Sequence, residues 1–136
     1  MNIKIAAVSD DGETISQHFG RAKYYVVLTI ENGQITAREQ REKMGHNHFS
    51  GEVHAEEKKA DPRGHGFTPF EQDRHASMLE AIRDCQVLLA RGMGSGAAYS
   101  MEQAGIRPIL TTIVNIDEAA MEAAAGTIVD HKEKLH

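Results

Sequence analysis

The pair Asn32-Gly33 most narrows what this chain can fold into. A type I′ hairpin turn needs positive φ at both central residues, and Asn-Gly meets that need at least strain. On its amino side, Tyr24-Tyr25-Val26-Val27-Leu28-Thr29-Ile30 is rich in aromatic and β-branched residues and reads as a strand. On its carboxyl side, Gln34-Ile35-Thr36-Ala37-Arg38-Glu39 alternates polar and apolar residues and reads as an edge strand. The middle of the amino-terminal half is therefore antiparallel.

The flanking segments set the architecture. Ile3-Lys4-Ile5-Ala6-Ala7-Val8 is a short apolar strand that ends at the turn signal Ser9-Asp10-Asp11-Gly12. In the carboxyl-terminal half, Val87-Leu88-Leu89-Ala90 reads as a short buried strand and Ile109-Leu110-Thr111-Thr112-Ile113 as the last strand. Between them lies a helix, Ala97 to Ala104, stopped by Gly105. An alanine-rich helix follows at Ile116 to Ala125. Thr68-Pro69-Phe70-Glu71 forms a capping box, with His75, Leu79 and Ile82 on one face of the helix it starts. The charged tail, Asp130 to His136, is expected to fray. The expected fold is α/β. Its mixed five-stranded sheet has an antiparallel meander β1-β2-β3 followed by parallel β4 and β5, with helices on the faces.

Chain length and charge bound the function. The 136 residues suit one domain, with a loop at about 42–67 that is rich in glycine, histidine and charge. Net charge is −5, which gives no whole-chain footprint for nucleic acid or membrane. No apolar stretch is long enough to span a membrane. A single cysteine, Cys85, excludes a disulfide framework and a four-cysteine iron–sulfur site within one chain. A cytoplasmic location is the simplest expectation.

Sites in such sheets form at the carboxyl ends of the parallel strands. Three segments are expected to converge there: Ser9-Asp10, Arg91-Gly92-Met93-Gly94-Ser95-Gly96, and Thr111-Thr112. The motif Ser16-Gln17-His18-Phe19-Gly20-Arg21 starts from the same edge. Three glycines before a helix let backbone approach a ligand and offer unpaired N–H groups to an anion. They equally suit a tight strand-to-helix turn. The spacing is neither a dinucleotide fingerprint nor a phosphate loop. In the long loop, His46, His48, His54 and His65 are candidate ligands for a divalent metal, or a solvated segment that chelates weakly. Cys85 and Met93 are expected to pack. A meander followed by βα units is similar to the ribonuclease H architecture. Two-metal nucleases need carboxylates converging on the sheet, however, and the first strand has none before Asp10 and the last has none at all. Nuclease chemistry is excluded on that ground.

The segments "VSDDG", "SQHFGRAKYYVVLTIENGQI" and "DCQVLLARGMGSGAAYSMEQAGIRPI" resemble the dinitrogenase iron–molybdenum cofactor biosynthesis family, which includes NifX-like, NafY-like, NifB-type and orange-protein domains. The resemblance covers nearly the whole chain outside 42–67. It implies a ribonuclease H-like three-layer fold without nuclease chemistry. It also implies a non-enzymatic carrier of iron–molybdenum or other molybdenum-containing metal–sulfur clusters, working with cluster donor and acceptor proteins. His18 in the "HFG" element becomes the expected cluster contact, and Gly92, Gly94 and Gly96, with Met93 and Ser95 between them, match the second signature. Such a carrier would use Phe19 as an exposed apolar shield, Gly20 as the turn, and Arg21, Lys23 and Arg91 as charge support. Two other readings stay open: a divalent-metal binder using the loop histidines, and a module that binds a small anion or a partner at the glycine turn.

Overall fold

A computed structural model describes residues 2–43 and 78–135. The long histidine loop, the capping box and His75 lie outside the described residues. Five strands form one mixed sheet in the order β3-β2-β1-β4-β5. They are β1 (Asn2–Ser9), β2 (Tyr24–Glu31), β3 (Gln34–Glu42), β4 (Val87–Ala90) and β5 (Arg107–Leu110). β1 pairs antiparallel with β2 from Asn2 opposite Glu31 to Ser9 opposite Tyr24. β2 pairs antiparallel with β3, with a register shift between Thr29 and Ile30. β4 lies parallel to both β1 and β5. The hairpin turn has φ of 53° at Asn32 and 80° at Gly33, the positive values its sequence requires.

Burial follows position in the sheet. The central strands β1 and β4 are buried from Ile5 to Ser9 and throughout Val87–Ala90, which explains their unbroken apolar runs. β3 lies at the edge and is exposed along most of its length, as its polar alternation indicates. Ile5, Leu28, Leu88, Leu89 and Leu110 are fully buried. Each such side chain contributes roughly 1.5–3 kcal/mol. Met78, Leu79 and Ile82 also enter this core, so the apolar face read for that segment packs as expected.

Two helices follow the parallel strands. Helix α1 (Ser95–Gln103) starts two residues before the expected Ala97, directly from the glycine turn, with Gly94 as an N-cap that makes no side-chain cap bond. It stops at Gly105 (φ 83°), where Ile106 N–H donates to Met101 O at 3.0 Å. Helix α2 (Ile116–Ala125) is capped by Asn115, whose Oδ1 accepts from Glu118 N–H at 2.8 Å, and ends at left-handed Gly126.

Two expectations are corrected. β5 ends at Leu110, not Ile113, because Thr111 Oγ1 accepts from Ile113 N–H at 3.0 Å and turns the chain off the sheet. The tail is docked from Asp130 to Leu135, where fraying was expected. His131 N–H donates to Leu110 O at 2.7 Å, Leu110 N–H donates to Asp130 Oδ1 at 3.0 Å, and Leu135 bridges to Met93.

Candidate functional site at the carboxyl edge

The segment after β1 is built by its own side chains. Ser9 Oγ donates to Thr14 O at 2.7 Å and accepts from Gly12 N–H at 2.8 Å. The Asp11 carboxylate accepts from the N–H groups of Thr14 (2.8 Å) and Glu13 (2.9 Å) and from the Thr14 hydroxyl (2.7 Å). These bonds, led by the Thr14 and Glu13 amides, hold its pKa far below the usual carboxylate range. Asp10 accepts from Lys23 N–H at 3.1 Å, which closes the loop onto the start of β2.

Inside this frame the "HFG" element splits. Ser16 Oγ accepts from His18 N–H at 3.1 Å, and His18 O accepts from the N–H groups of Arg21 (3.2 Å) and Ala22 (3.1 Å). The resulting turn leaves His18 exposed and folds Phe19 into the core at 2% exposure. The Phe19 ring centroid lies 6.4 Å from that of Tyr25, and the buried Lys43 ammonium sits 4.6 Å from the Phe19 centroid. Phe19 is therefore not an exposed shield: burying its ring anchors the loop. Met93 is likewise a core residue at 1% exposure.

The loop and the glycine turn are strapped together by backbone. Arg91 N–H donates to Ser16 O, and Phe19 N–H donates to Gly92 O, each at 3.1 Å. A Cβ on Gly92 would lie 2.4 Å from Gln17 O, so this position admits glycine alone without movement of one loop. Contact between two loops of the protein thus already requires glycine at this position. Gly20 has open space around it and meets no such requirement. Gly94 is half-buried, Ser95 exposed and Gly96 buried at the start of α1.

An open pocket of 370 Å³ lies where these loops meet. Gln17, His18, Arg91, Gly92 and Lys134 line it. His18 and Arg91 come together as expected, while Arg21 and Lys23 are exposed nearby in sequence and Thr111 and Thr112 do not line the pocket. Lys134 was missed: it lies in a charged tail without periodicity, and only the docking of that tail brings it to the site. Among the described residues neither Arg91 nor Lys134 forms an ion pair, and no carboxylate lines the pocket. Also among the described residues, no group of three His, Cys, Asp or Glu side chains could hold a metal ion. His46, His48, His54 and His65 lie outside them.

Cys85 packs away from the pocket. Desolvation, with Asp84 beside it, pushes its thiol up to about 12, so it is a neutral thiol at neutral pH and not a ready thiolate ligand.

A family profile described as "Dinitrogenase iron-molybdenum cofactor" matches residues 1–126. The chain belongs to that family. It is 28% identical over 108 residues to the NifY protein of Azotobacter vinelandii, covering 79% of this chain but 36% of NifY. The chain thus spans about a third of the curated relative it matches. Two solved structures share the fold. The apo orange protein of Desulfovibrio gigas aligns with a TM-score of 0.62 at 16% identity, over 95% of this chain and 92% of that one. A candidate dinitrogenase of Methanocaldococcus jannaschii aligns with a TM-score of 0.61 at 13% identity, over 97% of each chain. The chain shares its mixed α/β fold with these structural neighbours. No helix among the described residues is long and apolar enough to cross a membrane.

Proposed function

We propose that this chain binds and carries a preassembled metal–sulfur cluster, of the iron–molybdenum or another molybdenum-containing type, without catalysing a reaction on it. The observation that carries the reading is the pocket where His18, Arg91 and Lys134 meet with no carboxylate among its described lining residues. A metal–sulfur cluster with net negative charge suits such a place. One imidazole can bond a metal at the cluster surface, and cations can neutralise bridging or terminal sulfides.

The chain's chemistry favours carriage over assembly. Cluster construction on the protein would need several thiolates, and this chain has one cysteine, whose thiol is buried and held neutral. A cargo held through one side-chain bond and a ring of charges can also leave. Membership of the cofactor family supports iron–molybdenum cofactor or a related cluster as that cargo, with donor and acceptor proteins as partners in the cytoplasm. The 3-2-1-4-5 strand order supports a single, ribonuclease H-like domain in which the usual carboxylate chemistry has been replaced by a binding edge.

Anaerobic loading with isolated iron–molybdenum cofactor tests the proposal. The wild-type protein should take up about one cluster per chain and give a stable visible chromophore, and His18→Ala should lose most of it. Equal loading by the variant removes His18 from the site.

A further inference from the structure

We infer that the C-terminal tail is a docked wall of the cargo site and that Lys134 is a binding residue for a multiply charged molybdenum–sulfur anion. The inference rests on the carrier reading above and extends it to the charge class the pocket selects.

The tail is placed by specific bonds. β5 is the last strand of the sheet, and its final residue, Leu110, gives both main-chain groups to the tail: its O accepts from His131 N–H at 2.7 Å and its N–H donates to Asp130 Oδ1 at 3.0 Å. From there one 3-10 turn, Lys132–Lys134, brings Leu135 into a parallel bridge with Met93 of the glycine turn. Lys134 immediately precedes that bridge, and it lines the pocket beside His18 and Arg91.

Charge within the tail is sorted. Asp130 pairs with Lys132 at 3.0 Å, and Glu133 Oε2 lies 2.9 Å from His131 Nδ1. The two side-chain carboxylates of the tail's described residues are therefore engaged by neighbours in the tail. Hydrogen bonds from its own N–H and from His131 lower the neighbouring Glu133 carboxyl, and the Lys134 charge adds to that, yet Lys134 forms no ion pair among the described residues and lines the pocket. Two cations lining one pocket repel each other, and an anion bound between them relieves that repulsion. Arg91 and Lys134 approach from different elements, so they suit a compact anion of charge −2 or more better than a monoanion. Because the pocket is open to solvent, the interaction is sensitive to salt.

Tetrathiomolybdate is a fitting probe: a compact, coloured dianion of molybdenum and sulfide. Equilibrium dialysis of the full chain under anaerobic conditions, at two salt concentrations, reads its affinity. Lys134→Ala should bind about tenfold more weakly, Lys134→Glu more weakly still, and Lys134→Arg close to wild type. The salt dependence should be shallower in Lys134→Ala than in wild type. If Lys134→Ala and Lys134→Glu bind as tightly as wild type, the tail has no part in binding while the carrier reading stands. If the wild-type protein does not bind the probe, the tail proposal falls, and cofactor loading, read separately, decides the reading beneath it.

Discussion

The two ends of β4 carry similar side chains in opposite states. Before the strand, Asp84 receives Arg41 in a two-point contact, at 2.7 Å to Oδ1 and 3.0 Å to Oδ2, and Lys4 at 3.1 Å. Arg41 also donates to Ala81 O at 2.7 Å and pairs with Glu39. The Arg41 contact, ahead of the other causes, holds Asp84 far below the usual carboxylate range, and Asp84 in turn raises Arg41. After the strand, Arg91 shares a pocket with His18 and Lys134 and forms no ion pair among the described residues. One end has its charge closed by partners from the chain itself. At the other, the cations Arg91 and Lys134 line an open pocket and have no carboxylate partner among the described residues. Composition cannot separate the two, because both ends contribute to the same net charge.

The largest expected effect comes from undoing the anchor beneath the open end. Phe19→Ala removes a buried ring packed against Tyr25 and Lys43 and should cost about 3–5 kcal/mol in chemical denaturation. A cost near zero would mean that the loop stands without its anchor.

Gly92→Ala should cost about 1–3 kcal/mol, because the added methyl meets backbone at Gln17 and one of two strapped loops must move. It should weaken cluster loading beyond that loss, since Gln17, His18 and Arg91 move with the loops. Normal stability and loading would show that the strap can shift freely.

A smaller effect tests the closed end. Asp84 has a folded pKa below its unfolded value, so its pairing adds stability at neutral pH that is lost as pH falls below about 4. Its carboxylate is well exposed to solvent, so the contribution should stay under about 1 kcal/mol. Asp84→Asn should lower stability at pH 7 and make the acid limb of a stability–pH profile shallower. Lys134→Ala should leave that limb unchanged. An unaltered limb in Asp84→Asn would make the closed end energetically silent.

Most of the sheet was legible before any coordinates. Asn32-Gly33 dictates its hairpin, and apolar runs of β-branched residues can be buried only between covered faces. The approach of His18 to Arg91 was legible as two signatures at one sheet edge. The fate of Phe19 was not, because the Ser16 and His18 bonds that turn it inward depend on local backbone geometry and not on residue spacing. The crowding at Gly92 was not legible, since its crowding neighbour, Gln17, is remote in sequence. The tail was the hardest part: its docking rests on main-chain groups of Leu110 that every residue possesses, so Lys134 carries no signal of its own.

The most direct measurement compares anaerobic cofactor loading across the two ends of β4. His18→Ala, at the open end, should lose most of the bound chromophore, while Asp84→Asn, at the closed end, should load as wild type does. Full loading by His18→Ala, or equal losses in both variants, would contradict the assignment of the cargo site to the open end.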